Sequence, residues 1–341
     1  MKSLSTVLSV LTIGSISTLF GAQTSSTPAS DSSSQMITPI AGPRVENDID
    51  AAFTLDFIYF EATQTNSAYA ANNAYLNESV PQGTTYYPNF QFKPGFKLGL
   101  GLNLAHDGWD LMAQYTYFHP SKLTKKTSLP DGYITLLMSD FLFNKTIDAA
   151  TLSNSWKLKL DIIDLDLGRN FYISQYLAMR PFFGFKTAWN RQIDDVVYIS
   201  DVDTNDIRKI HQQQNIYEIG LRTGAQTSWQ FTKNWNIYGN IAYALMNASS
   251  KLYSSASEPK AGDIIVDKLN TKMAQNTLQA VYEIGMGFGY DYFFNDDNYH
   301  FGIQAGYEFQ YWNSNSYLLS KFGVCGDLSL QGLDVKLRLD F

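Results

Sequence analysis

Leu333-Asp334-Val335-Lys336-Leu337-Arg338-Leu339-Asp340-Phe341 closes the sequence. Apolar residues alternate strictly with charged ones. Side chains of a strand point alternately to opposite faces, so this stretch has one apolar face and one fully charged face. A strand with lipid or core on one side and water on the other reads this way. The terminal aromatic is typical of the last strand of a bacterial outer-membrane barrel.

Composition agrees with that reading. Of 341 residues only 17% are charged, against roughly 25% in soluble domains. Aromatics reach 15%, with 22 Tyr and 22 Phe, and 23 glycines fall largely inside alternating runs. The mean hydropathy of −0.20 does not exclude a membrane protein, because a barrel needs no run of about 20 apolar residues. The net charge is −7 and no basic stripe is visible, which excludes a nucleic-acid partner. One cysteine, Cys325, excludes an intrachain disulfide, and His106, His119, His211 and His300 lack metal-ligand spacing. No cofactor is expected.

Met1-Lys2-Ser3 precedes an apolar stretch from about Val7 to Phe20, then Gly21-Ala22. This is the pattern of a secretory signal peptide over 1–22. Residues 23–50, rich in Ser, Thr, Pro and Ala, read as a flexible periplasmic segment. The barrel is expected over 51–341.

Period-2 alternation marks ten strands: 51–61, 95–104, 108–118, 156–168, 176–189, 216–229, 235–247, 278–291, 299–311 and 331–341. In 156–168, Leu158, Leu160 and Ile162 are placed outward, followed by Ile163, Leu165 and Leu167. The phase slip at Ile162-Ile163 predicts a bulge. Pro181 lacks a donor and predicts a local irregularity. Long gaps (62–94, 119–155, 190–215, 248–277 and 312–330) alternate with short ones around Asp107, 169–175, 230–234 and 292–298. Long extracellular loops and short periplasmic turns give this order. Val196-Val197-Tyr198-Ile199 and Ile264-Ile265-Val266 could pair beyond the membrane rim or form a further hairpin, so twelve strands stay open. Trp109, Trp156, Trp189, Trp229 and Trp235 fall near strand ends, where amphipathic rings meet headgroups.

The same alternation assigns Asp56, Lys97, Lys159, Asp161, Arg180, Lys186, Glu218, Arg222, Glu283, Glu308, Lys336 and Arg338 to the lumen, with Asp164, Asp166, Asp334 and Asp340 beside them. Two readings stay open. The charges pair across a narrow interior and plug it, or opposed patches set a field across a water-filled pore. Ten strands lie near the small end of the range in which eight roughly fill with side chains. Inward glycines at 99, 101, 184, 220, 224, 285, 287, 289, 302 and 306 either leave space or relieve curvature. Within 119–155, the apolar stretch from Tyr133 to Phe143 is expected to constrict the lumen, pack on the rim or form a short helix.

Several motifs then fall in order. Leu165-Asp166-Leu167-Gly168-Arg169-Asn170-Phe171-Tyr172-Ile173-Ser174 precedes Leu177-Ala178-Met179-Arg180-Pro181-Phe182-Phe183-Gly184. Ile219-Gly220-Leu221-Arg222-Thr223-Gly224, Thr232-Lys233-Asn234-Trp235, Ala305-Gly306-Tyr307-Glu308 and Leu328-Ser329-Leu330-Gln331-Gly332-Leu333 follow. Together they resemble the major outer membrane protein family of Legionella, also present in environmental chlamydia-like bacteria. The likeness runs from about 156 to 341 and is weaker over 51–118. It implies an integral outer-membrane barrel, abundant and surface-antigenic, with porin activity described for some members. Its loops would meet host cells. The chain departs from the cysteine-rich chlamydial proteins, since it carries Cys325 alone.

The leading functional expectation is a narrow porin for ions or small hydrophilic solutes. The alternative is a non-conducting structural barrel or adhesin acting through its loops. An enzyme would need a nucleophile, a base and an orienting partner close together, and no such set is legible. Expected partners are outer-membrane lipid, small solutes or ions, a host-cell surface, and the barrel assembly machinery acting on the strand that ends at Phe341.

Overall fold

A computed structural model of the chain describes residues 41–42, 49–72, 85–120, 123–128, 134–135, 149–200, 207–260, 264–294, 299–316, 318 and 325–341. The signal-peptide and periplasmic-segment readings, and most of the apolar stretch Tyr133 to Phe143, lie outside these residues.

Ten strands form the barrel: β1 Ile49–Gln64, β2 Phe92–Leu104, β3 Trp109–Phe118, β4 Ala149–Arg169, β5 Leu177–Ser200, β6 Ile207–Gln230, β7 Trp235–Lys260, β8 Ile264–Phe294, β9 Tyr299–Ser316 and β10 Gly326–Asp340. Each pairs antiparallel with its sequence neighbour, and β1 pairs with β10 from Ala52↔Asp340 to Gln64↔Leu328, closing the sheet. Closure leaves no ladder edge in hydrocarbon, where each unsatisfied peptide group would cost several kcal/mol. Phe341 completes the seam: its backbone N–H donates to Ala51 O at 2.9 Å, and Ala51 N–H donates to Phe341 O at 2.8 Å.

The alternation decides the two faces. Phe53, Leu55, Phe57, Leu98, Leu100, Phe183, Leu221, Ile241, Ile284 and Phe288 are exposed on the outer surface, as a lipid-facing band requires. At the periplasmic end the turns are short. Asp107 and Gly108 both take positive φ, 57° and 70°, the two-residue geometry that lets antiparallel strands reverse tightly. Arg169 holds this turn, donating to Asp107 Oδ1 at 2.7 Å.

At the other end, two predicted loops are mostly sheet. β5 and β6 stay paired out to Ile199↔Ile207, and β7 and β8 out to Lys260↔Ile264. The described parts of 190–215 and 248–277 are therefore continuations of the paired strands past the lipid band, not additional wall strands. A short strand, Leu123–Ser128, pairs with β4 on the same projecting side.

β4 keeps one register with β5 from Phe182↔Gly168 to Ile199↔Thr151, so the bulge expected at Ile162-Ile163 does not occur. Pro181 pairs normally with Ala225 of β6. On its β4 side it falls between Phe182↔Gly168 and Met179↔Phe171, where that ladder is interrupted. Gly184 marks a close approach: a Cβ there would overlap Leu165 O. At that position the glycine serves strand coiling and does not widen the lumen.

Candidate functional site

The barrel interior is layered. Nearest the periplasm, Asp110 is buried and accepts from Arg180 Nε at 2.8 Å and from Asn170 Nδ2 at 2.5 Å. Beside it, where Asn103 faces Asp110 across the β2–β3 ladder, Asp340 accepts from Arg338 Nη2 at 2.7 Å and from Asn103 Nδ2 at 2.8 Å, and sits 2.7 Å from His300 Nδ1. His300 Nε2 meets Asp291 at 2.9 Å.

Above this collar two cation-centred clusters brace the wall. Lys97 of β2 reaches Glu308 of β9 at 2.5 Å and Asp334 of β10 at 2.8 Å. Lys336 lies 3.3 Å from Asp56. In the second cluster Lys186, only 1% exposed, bridges Asp164 at 2.9 Å and Glu283 at 2.7 Å. Arg222 contacts Asp166, Asp164 at 3.6 Å and Glu283 at 2.7 Å, with its guanidinium 4.7 Å from the Phe182 ring centre. Lys186–Glu283 links β5 to β8 and Lys97–Glu308 links β2 to β9, so both pairs span strands that are not neighbours. Buried charges persist only when paired and hydrogen-bonded. Between the clusters lies a polar cavity of about 60 Å³, room for several waters. Lys97, Arg222, Glu283, Glu308 and Lys336 are among its lining residues.

A further layer is apolar. Ile58, Phe60, Phe118, Trp156, Leu158, Leu160, Ile162, Met246, Val281, Trp312 and Leu330 form one buried cluster inside the barrel. Trp312 stands over the charged zone, with Lys186 Nζ 5.5 Å from its ring centre. Register between β9 and β10 breaks between Trp312 and Ser316, and Ser314 takes φ 52°. This bend turns Asn315 inward. Its Nδ2 donates to Glu218 Oε1 at 2.6 Å, and its Oδ1 accepts from Asn190 Nδ2 of β5, on the far side of the barrel. The extracellular mouth is covered from above: Tyr69 and Ala70 are buried, and Phe90 meets Trp156 edge-on at 5.3 Å. Tyr198 Oη donates to Tyr69 O at 3.4 Å.

Asp56, Lys97, Arg180, Lys186, Glu218, Arg222, Glu283, Glu308, Lys336 and Arg338 all lie on the inner face, and most are joined by the contacts above. Lys159 and Asp161 do not. Leu158, Leu160 and Ile162 alternate inward with 0–1% exposure, which puts Lys157, Lys159 and Asp161 on the outer face near the rim. Three consecutive apolar positions in alternation signal one face, but not which one. Trp156 likewise belongs to the inner apolar layer and not to the girdle. Trp189, Trp229 and Trp235 are exposed outside, with Trp189 packed against Tyr217 and Trp235 against Tyr290. The functional residues that the sequence reading missed are Trp312 and Asn315. Their signal was the break in alternation at Asn313-Ser314-Asn315 after an apolar β9.

On the projecting hairpin, five residues beyond Trp189, the Asp194 carboxyl is pushed up to about 7. Burial is the chief cause and neighbouring Asp195 adds to it. The Asn154 hydrogen bond at 2.7 Å and His211 oppose it.

A closed ten-stranded antiparallel sheet with an apolar exterior and an ion-paired interior defines an outer-membrane β-barrel. The match to a known family extends over nearly the whole chain: residues 43–341 fit the family described as Legionella pneumophila major outer membrane protein precursor, and the chain belongs to that family. No curated protein is similar in sequence. Among solved structures, the outer membrane protease OmpT from Escherichia coli superposes with TM-score 0.40 at 9% identity, covering 86% of this chain and 96% of that one. A major outer membrane protein from Thermus thermophilus gives 0.31 at 9% identity over 86% and 100% of the two chains. A Pseudomonas aeruginosa FadL homologue gives 0.29 at 7% identity over 86% and 90%. Superpositions this loose say nothing about activity.

Proposed function

We propose that the barrel is a low-conductance, porin-like channel that passes small ions or small hydrophilic solutes passively. The two ion-paired clusters would act as its selective section, and the apolar layer around Trp312 as its constriction. The observation that carries this reading is the polar cavity held between Lys97–Glu308 and Arg222–Glu283 inside the wall. In a salt gradient across a planar bilayer, the refolded protein is expected to show a reversal potential. Arg222→Gln and Glu308→Gln should move that potential in opposite directions, since they remove opposite lumen charges. A potential unchanged in both variants would end the selectivity assignment.

A second reading rests on the apolar layer and on Asn315 crossing to Asn190. In it the lumen stays closed, and the projecting hairpins of β5–β8 act as a structural or adhesive surface toward host cells. No chemistry is assigned to the barrel in either reading. Export with removal of residues 1–22, and insertion by the barrel assembly machinery acting on the strand ending at Phe341, complete the proposal.

A further inference from the structure

The outer-face position of Lys159 has its own consequence. Lys159 of β4 is the direct cross-strand partner of Arg191 of β5. Directly opposed side chains on one face have Cβ atoms about 5 Å apart, and like charges there are destabilising. Lys157 lies two residues away along β4 on the same face, about 6.6 Å distant. Among the described residues no carboxylate pairs with any of the three. Asp161, on the same face of β4, is already taken by Tyr115 Oη at 2.6 Å and His119 Nε2 at 2.8 Å. Arg191 is exposed and donates only to Gln213 Oε1, at 2.9 Å. Two residues below Arg191 stands Trp189, exposed and 5.7 Å from the Tyr217 ring. Such rings sit at headgroup level. The three cations therefore stand at the depth where the outer leaflet turns from acyl chain to charged headgroup.

We propose that Lys157, Lys159 and Arg191 bind a phosphate group of an outer-leaflet glycolipid headgroup. The planar Arg191 fork supplies two parallel donors to phosphate oxygens, and the two ammonium groups add point charges. Trp189 and Tyr217 offer an apolar surface to the acyl chains beneath. A phosphate placed there turns the repulsion between Lys159 and Arg191 into attraction toward a shared anion.

The test titrates the detergent-refolded full chain with bis-phosphorylated lipid A, its dephosphorylated form, and inorganic phosphate, read by native mass spectrometry. The wild type should retain the phosphorylated lipid. The Lys159→Gln/Arg191→Gln variant should bind it about 100-fold more weakly, roughly tenfold for each charge-assisted hydrogen-bonding group removed. Lys251→Gln, on the same outer face of β7, should bind as the wild type does. Heat-modified gel mobility verifies folding, and Lys157→Gln, expected to bind about tenfold more weakly, replaces the double variant if that one does not fold. Equal retention by wild type and folded variant would overturn the proposal. So would equal binding of the dephosphorylated lipid, or displacement of the lipid by inorganic phosphate.

Discussion

Trp312→Ala probes the apolar layer directly. The indole is fully buried, touches the inner cluster, holds Lys186 Nζ 5.5 Å from its ring, and donates to Gln310 Oε1 at 3.2 Å. Truncating a fully buried Trp costs about 3–5 kcal/mol. A desolvated cation–π contact is worth about 2 kcal/mol, and the indole hydrogen bond about 1 kcal/mol. These contributions overlap, because the same atoms leave, so about 5 kcal/mol is expected. Urea titration of the refolded barrel, followed by tryptophan fluorescence and gel mobility, measures it. The outer-face control Trp229→Ala, more than half exposed, should change much less in detergent. The same deletion takes away the bulk between the charged zone and the Asn315 layer, so single-channel conductance should rise several-fold. A Trp312→Ala protein within about 1 kcal/mol of wild type, with unchanged conductance, would refute the layer as both a packing element and a constriction.

Arg222→Gln leaves Asp164 and Glu283 with Lys186 and takes away the ion-pair partner of Asp166. Removing one partner of a buried pair costs about 3–5 kcal/mol, to be read as a lowered urea midpoint. Gly184→Ala should fail to refold or refold slowly, because its Cβ would overlap Leu165 O; gel mobility after refolding checks this. Asp194 gives a pH signature. Its folded-state value of about 7 lies above the ordinary carboxyl value of 3.8, so the folded state holds the proton more tightly than the unfolded chain. The associated stability is fully present below about pH 4, is lost as pH rises toward about 7, and is level above that, a change of about 4 kcal/mol at most. Hydrogen exchange of the β5–β6 hairpin should show this fall, and Asp194→Asn should flatten it. A wild-type hairpin with constant protection from about pH 4 to about pH 8 would contradict the assignment.

The fold was legible because lipid forces a strict code. Lipid-facing alternation in β2, β8 and β10 leaves no other architecture, and the long-short rhythm of gaps separates the two ends of the barrel. The code weakens where lipid ends. At Asp194–Val197 and Gln212–Gln214 the outer face meets water, so polar residues occur on both faces and the strands look like loops. It also misleads where the inner face is apolar. Leu158, Leu160 and Ile162 have the same pattern as a lipid-facing triplet, yet they belong to the buried cluster with Phe60 and Trp312 inside. Periodicity fixes which residues share a face, and only closure of the barrel decides whether that face looks in or out. The charge clusters were readable as a set of inward residues. Their pairing was not, because Lys97–Glu308 and Lys186–Glu283 span strands far apart in sequence.

Single-channel recording of the folded, bilayer-inserted wild-type protein decides whether the lumen conducts. Small, discrete and reproducible steps are expected, larger in Trp312→Ala. Silence from both proteins, with folding and insertion verified, would contradict a conducting lumen and leave the projecting hairpins as the functional surface.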